Sequence, residues 1–137
     1  SGTERIVKMV KIKDGKIVRS EYTEQCQVVD WLSKQYPDVL FNASCAGVRY
    51  GDSRGAAIRG AMMKKAGAKS GFPDLFIYEP CYACRGLAIE MKRESGGVTQ
   101  PEQLWWHAEL TKRGYKVAVC NGYDEAKNVI TEYLING

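Results

Sequence analysis

The sequence predicts an α/β domain in which a central mixed β-sheet is flanked by helices. Apolar runs of strand length occur at 75–78, 87–92 and 115–120, and the last two are separated by a segment with helical periodicity. A helix between two strands allows a parallel crossover, whereas the close spacing of the first two runs favours a hairpin. The 137 residues suffice for one domain. We expect that domain to span 1–137, with an N-terminal hairpin at about 5–19 and a core at about 20–135.

The first elements along the chain are a predicted hairpin and a predicted helix. Residues 5–19 alternate apolar and charged around Asp14-Gly15, a dipeptide typical of tight hairpin turns. Residues 20–36 form a predicted helix capped by Ser20 or Thr23. The stripe expected to be buried on this helix comprises Tyr22, Cys26, Val29, Leu32 and Tyr36.

The middle of the chain combines a loop with a basic helix. We predict a short strand at 39–41, a Gly- and Ser-rich loop at 42–55 and a helix at 55–66. The net charge is +4, and positive charge is concentrated at 49–69, where Asp52 is the one acid. This concentration suits a polyanion bound through its phosphates, and a solvated basic face is the alternative. The basic residues of the stretch are Arg49, Arg54, Arg59, Lys64, Lys65 and Lys69.

The strands predicted at 74–78 and 87–92 carry the chemistry. Side chains alternate along a strand, so the apolar residues 87, 89 and 91 share one face, and Glu90 and Lys92 lie on the other. Asp74 begins the first strand, directly after Pro73, and hairpin pairing brings it near Glu90. Charged groups are rare in such strands unless they are paired or bind a ligand. Two carboxylates beside one lysine therefore predict a site for a hard cation.

The remaining elements are a helix, a strand and a second helix. A capping box of Thr99 and Glu102 is expected to start a helix that stops at Gly114. Within this helix we expect Trp106 to pack in the core, with nucleic-acid stacking as the alternative, and His107 to be structural. A strand at 115–120 and a helix at about 124–134 follow.

The five cysteines are an odd number and no signal-peptide pattern precedes them, so we expect reduced thiols in a cytoplasmic protein. Cys81 and Cys84 have C-x-x-C spacing. A structural zinc site needs four ligands, but there is no second such pair and His107 is the single histidine. We interpret the pair as part of a loop, and a small zinc-stabilised interaction protein remains an alternative. No apolar run reaches the length of a membrane span.

These residues carry a family resemblance. Pro73-Asp74 followed by Glu90-Met91-Lys92 resembles the signature of PD-(D/E)XK nucleases. The longer set resembles the VRR-NUC branch of that superfamily over roughly 24–134, and the resemblance implies a restriction-endonuclease-like core. The set consists of residues 71–77, residues 86–93, Gln103, Trp106, Gly114-Tyr115 and Asp124-Glu125-Ala126.

The resemblance implies roles for individual residues. Asp74, Glu90 and the backbone carbonyl of Met91 would hold Mg²⁺ or Mn²⁺, the ions that hard oxygen ligands suit. Lys92 would orient the attacking water and stabilise the transition state. Gln103 would sit beside the site.

The first predicted helix is expected to supply a further acid. Glu24 lies on one line with Val28 and Trp31, so it heads a partly buried row. By resemblance Glu24 joins the metal, directly or through water, and Gln27 accompanies it. Glu21 is the competing acid, and any acid at a helix N-terminus is favoured by the helix dipole.

The implied function is metal-dependent hydrolysis of DNA. Small stand-alone proteins of this branch resemble phage or bacterial enzymes, which implies a homodimer that cuts four-way (Holliday) junctions in the cytoplasm, the host's if the protein is phage-encoded. Arg93 completes the candidate DNA-binding residues. The alternatives are a flap nuclease, a restriction-type endonuclease or an exonuclease on the same fold, and a DNA-binding module without catalysis.

Overall fold

The computed structural model describes residues 10–13, 16–44 and 54–136. These residues form an α/β arrangement, as the sequence predicts. The elements, in chain order, are β1 (Val10–Lys13), β2 (Lys16–Arg19), α1 (Glu21–Gln35), β3 (Phe41–Ala43), α2 (Arg54–Lys65), β4 (Leu75–Ile77), β5 (Leu87–Lys92), α3 (Pro101–Lys112), β6 (Lys116–Asn121) and α4 (Tyr123–Asn136).

The central sheet has the strand order β3-β4-β5-β6. The β3–β4 and β4–β5 pairs are antiparallel, and β5 and β6 are parallel. Helix α3 makes the crossover that a parallel pair requires. The predicted mixed sheet is therefore confirmed. Strands β1 and β2 form a separate antiparallel ribbon with Val10 opposite Arg19, where the sequence predicts the N-terminal hairpin.

Helices cover the sheet on both faces. Leu87, Ile89 and Met91 of β5 face a core shared with Leu32 of α1 and Ile130 of α4. Burying a large aliphatic side chain of this kind contributes about 1.5–3 kcal/mol. On the opposite face lies a smaller cluster under α3, made of Phe76, Ala88 and Leu110 with the partly buried Phe72, Trp106, Tyr115 and Val117. Trp106 therefore packs in the core, as expected.

The buried side of α1 differs from the predicted stripe. The buried residues are Thr23, Glu24, Val28 and Leu32, whereas Tyr22 is 60% exposed. The helix is turned so that two polar residues face inward. The predicted burial of the row that contains Glu24 and Val28 is therefore confirmed, and the hydroxyl of Thr23 is hydrogen-bonded to that of Ser20 at 3.0 Å.

Two predicted boundaries are shifted by one or two residues. The strand expected at 39–41 is Phe41–Ala43, because its register is set by the pairing of Phe41 with Ile77. The capping box expected at Thr99 and Glu102 lies one residue later. The side-chain Oε1 of Gln103 accepts a hydrogen bond from the backbone N of Gln100 at 2.8 Å, and Pro101 occupies the first helical position.

Candidate functional site

Asp74 is placed by the turn that precedes β4. Gly71 has φ +85°, and a Cβ there would lie 2.6 Å from the backbone carbon of Glu102. This position accepts only glycine, since a side chain would be strained and would clash with the start of α3. The buried Pro73 follows, and the chain enters the strand directly after Asp74.

Glu90 and Lys92 lie side by side on β5, on the face covered by α3. Their exposed fractions are 1% for Glu90 and 5% for Lys92. Burying a charged group is costly unless a partner compensates for the lost water. The surroundings of these two side chains therefore decide what the site can do.

Asp74 meets both the backbone and the acid of β5. Its Oδ2 accepts a hydrogen bond from the backbone N of Met91 at 2.7 Å, and its carboxyl hydrogen-bonds to that of Glu90. Burial raises the pKa of Glu90 to about 9, and the hydrogen bond and negative charge of Asp74 add to this effect, while Lys92 opposes it. Without a cation, Glu90 therefore holds its proton at neutral pH.

Lys92 is held between a loop and a helix. Its Nζ donates a hydrogen bond to Oε1 of Gln103 at 2.9 Å. A Cβ at Gly97 would lie 2.8 Å from the Cβ of Lys92, so the loop after β5 passes directly over the lysine stem. The hydrogen bond to Gln103 thereby fixes the ammonium group on the face of β5 that carries Glu90.

His107 of α3 also faces the acid pair. Its Nε2 lies 3.8 Å from Oε1 of Glu90, too far for a hydrogen bond. In the described part of the chain, both atoms are buried and lack a hydrogen-bond partner. Burial, and then the charge of Lys92, lower the pKa of His107. Both effects favour the neutral imidazole at neutral pH. The sequence offered one signal for this, the position of His107 one turn after Gln103.

These residues fit a divalent cation. In the part of the chain that the structure describes, the buried Oε1 of Glu90 has no hydrogen-bond partner. Positive charge at this carboxyl would favour the loss of its proton at neutral pH. Hard oxygen donors of this kind suit Mg²⁺ or Mn²⁺. Within residues 10–13, 16–44 and 54–136, no three His, Cys, Asp or Glu side chains converge closely enough to hold an ion by themselves. Backbone carbonyls, water or substrate oxygens must complete the ligand set, and the carbonyl of Met91 remains a predicted contributor.

The carboxylate of Glu24 is hydrogen-bonded to the first residue of α4. It is 3% exposed, and its Oε2 accepts a hydrogen bond from the backbone N of Tyr123 at 2.6 Å. With Gln27 it lines a pocket of about 440 Å³ next to the start of α4. The acid of α1 whose charge raises the pKa of Glu90 is Glu21. Metal binding by Glu24 stays a prediction, and the structure gives it a role at the N-terminus of a helix.

The predicted DNA-binding residues are partly described. Arg59, Lys64, Lys65 and Lys69 are exposed on α2 and the loop after it. Arg93 is exposed too, and its Nη2 donates to the carbonyl of Gly96 at 3.1 Å. Arg54 begins α2, and Arg49 lies outside the described residues.

The C-x-x-C loop lies between β4 and β5, at the end of β5 remote from Glu90. The thiols of Cys81 and Cys84 are free, and the backbone N of Cys81 donates to the carbonyl of Cys84 at 2.8 Å. The described helices include none with the length and apolar character of a membrane span.

Comparisons with known proteins identify the family and the fold. The model of the VRR-NUC domain family matches residues 19–124. A solved structure of a VRR_NUC domain protein superposes with a TM-score of 0.70 at 27% identity, covering 88% of this chain and 92% of the other. A second, a VRR_NUC domain, has a TM-score of 0.50 at 20% identity, covering 80% and 97%, and supports the fold alone. Among proteins of curated function, none matches this chain. The chain belongs to the VRR-NUC nuclease family.

Proposed function

We propose that this protein is a metal-dependent endonuclease that selects branched DNA and acts as a homodimer on four-way junctions. The observation that carries the proposal is the pairing of the Asp74 and Glu90 carboxyls on the face of β5 that also carries Lys92. Glu90 is buried, and among the described residues its Oε1 has no hydrogen-bond partner. Family membership implies nuclease chemistry on DNA, and this pair is where the residues fit such chemistry.

The residues divide the work of phosphodiester hydrolysis. Asp74 and Glu90 would hold Mg²⁺ or Mn²⁺, which supplies an activated water and neutralises charge on the phosphate. Lys92 presents a fixed ammonium group where negative charge develops, and such preorganised donors stabilise the transition state. Gln103 is a positioning residue, since it contacts Lys92 by a 2.9 Å hydrogen bond. The Met91 N–H fixes the orientation of the Asp74 carboxylate.

The composition of the described part of the chain supports recognition of DNA by its branched shape. The central sheet and the helices that cover it account for most of the described residues, and the exposed lysines at the end of α2 offer phosphate contacts. Reading a base sequence normally requires an element that enters a groove. A homodimer with two-fold symmetry would place two sites on two symmetric strands, which suits a junction.

The second candidate class is a DNA-binding module without catalysis. It is disfavoured by the complete set of Asp74, Glu90 and Lys92, because a module that only binds has no need to bury the ionisable groups of Glu90 and Lys92. A flap, restriction-type or exonuclease activity would use the same residues and differ in substrate.

Cleavage of a synthetic four-way junction beside a linear duplex of the same sequences tests this proposal. We expect paired, symmetric nicks in the junction, dependent on Mg²⁺ or Mn²⁺ and abolished by chelator. Equal cutting of the duplex would replace junction selectivity with a general or restriction-type activity. Binding without cutting in either metal would favour the non-catalytic module.

A further inference from the structure

A groove separates the segment after α2 from the first turns of α3. Two adjoining pockets, of about 350 and 410 Å³, share Ala68, Lys69 and Trp106. We call this feature the tryptophan groove, defined by Lys64, Ala68, Lys69, Ser70, Glu102, Trp105 and Trp106. Each pocket falls in the size range of sites that hold small organic groups.

The two tryptophans of the groove differ in how they are held. Trp106 is anchored, because its Nε1 donates a hydrogen bond to the carbonyl of Ser70 at 3.0 Å. Its ring also packs edge-on against that of Phe72, with the ring centroids 4.9 Å apart. Trp105 stands edge-on to Trp106 at 5.2 Å and is 55% exposed. A rigid floor thus supports a second indole that presents apolar surface to solvent. Exposed apolar surface of this kind often marks a binding site.

Charge around the groove favours an anionic ligand. Lys64 and Lys69 line it and are exposed, and Glu102 is the acid among its lining residues. An aromatic face bordered by cations matches a nucleotide, whose base stacks on the ring while its phosphates meet the lysines. The groove therefore suits nucleic acid better than an uncharged apolar partner.

The groove is connected to the Asp74–Glu90 pair by short paths. Ser44 lines its first pocket, and the backbone N of Ser44 donates to the carbonyl of Asp74 at 2.8 Å. At the other side, Gln103 holds Lys92 and lies one turn before the groove residue Trp106 on the same side of α3. A strand bound in the groove would therefore pass close to the reacting groups.

We infer that the tryptophan groove binds an unpaired base of the DNA substrate, with Trp105 as the stacking surface. This inference rests on the proposed function, because it takes branched DNA as the substrate. It adds that the bound branch exposes an unpaired base near the cut, as in a flap or in a four-way junction whose base pairs open at the crossover. Inside a duplex both faces of a base are already stacked, so only an unpaired base can cover the indole without a cost in unstacking. The groove thus contributes to the choice of branched over linear DNA.

Binding measurements in chelator test this inference without reading cleavage. The probes are a flapped DNA carrying 2-aminopurine in its unpaired arm and a matched duplex, studied by anisotropy and by 2-aminopurine emission. We expect Trp105→Ala to weaken binding of the flapped DNA about tenfold, to leave the duplex almost unchanged and to abolish the emission change. Trp105→Phe should retain most of the affinity. Leu104→Ala is the matched control, since Leu104 is also 55% exposed on α3 but does not line the groove.

Three outcomes would overturn the inference. The first is that Trp105→Ala weakens binding of flapped and duplex DNA equally, and the second is that Leu104→Ala weakens binding of flapped DNA as much as Trp105→Ala does. The third is that Trp105→Ala dissociates a dimer in sedimentation, which would assign the groove to a second copy of the chain. A protein that binds unpaired DNA through Trp105 but cuts nothing would refute the proposed nuclease alone. If Trp105→Ala loses affinity equally for both DNAs but still cuts the junction, the first of these outcomes refutes the groove and leaves the proposed nuclease standing.

Discussion

Lys92 and Gln103 are joined by a hydrogen bond of 2.9 Å from the lysine Nζ to the amide Oε1. The same oxygen accepts a second hydrogen bond, from the backbone N of Gln100 at 2.8 Å. One side-chain atom therefore fixes the ammonium group and closes the first turn of α3. Helix stability and the position of the lysine are coupled through this oxygen.

Replacing Gln103 by alanine should separate these two effects. Loss of the cap should lower the free energy of unfolding by about 1 kcal/mol. Cleavage should fall by about tenfold or more, because a misplaced lysine stabilises the transition state poorly. Glu125→Ala is the control, because it removes a comparable cap: Oε2 of Glu125 accepts a hydrogen bond from the backbone N of Asn121, just before α4. If the two variants lose equal stability and equal activity, Gln103 has no positioning role.

The pKa of Glu90 predicts an unusual dependence of stability on pH. The group titrates near 4.5 when unfolded and at about 9 in the folded, metal-free protein. Between these values the folded state holds a proton that the unfolded state has released, so stability is lost as pH rises. The slope approaches about 1.4 kcal/mol per pH unit at most. Urea titrations at pH 5.5 and 8.5 should show this loss in the wild type and a smaller one in Glu90→Gln.

Metal binding should release protons, because the cation replaces the proton on Glu90. Calorimetry with Mn²⁺ at pH 7, in two buffers of different ionisation enthalpy, should give heats that differ in proportion to the proton released. Affinity should increase as pH rises towards 9. Glu90→Gln should abolish both effects, and a buffer-independent heat in the wild type would show that Glu90 is already ionised.

Glu24 and Glu21 should respond differently to substitution. Glu24→Ala removes a buried acceptor from the backbone N of Tyr123 and should cost about 1–3 kcal/mol of stability in metal-free protein. Glu21 is exposed, so Glu21→Ala should change stability by less than about 0.5 kcal/mol. Because the charge of Glu21 acts on Glu90, its loss should weaken Mn²⁺ binding. Thermal melts and Mn²⁺ titrations decide between the two acids, and unchanged stability in Glu24→Ala would leave metal binding as its role.

The local parts of the site were predictable from sequence. Strand alternation places Glu90 and Lys92 on one face of β5, and hairpin pairing brings Asp74 to them, because both rules act over short distances. The burial of Glu24 was predictable from its line with Val28, but its hydrogen-bond partner was not, since Tyr123 is 99 positions away. The approach of His107 to Glu90 likewise depends on how α3 lies on the sheet. Such contacts are set by tertiary packing, which one sequence does not display.

Junction cleavage by Lys92→Met, compared with junction binding by the same variant in chelator, tests the proposed chemistry most directly. Methionine keeps an apolar stem under the loop at Gly97 but removes the ammonium group. Cleavage in Mg²⁺ or Mn²⁺ should fall at least about a hundredfold, while binding should stay near that of the wild type. Cleavage at the wild-type rate would contradict the assignment of Lys92 and the site built around it.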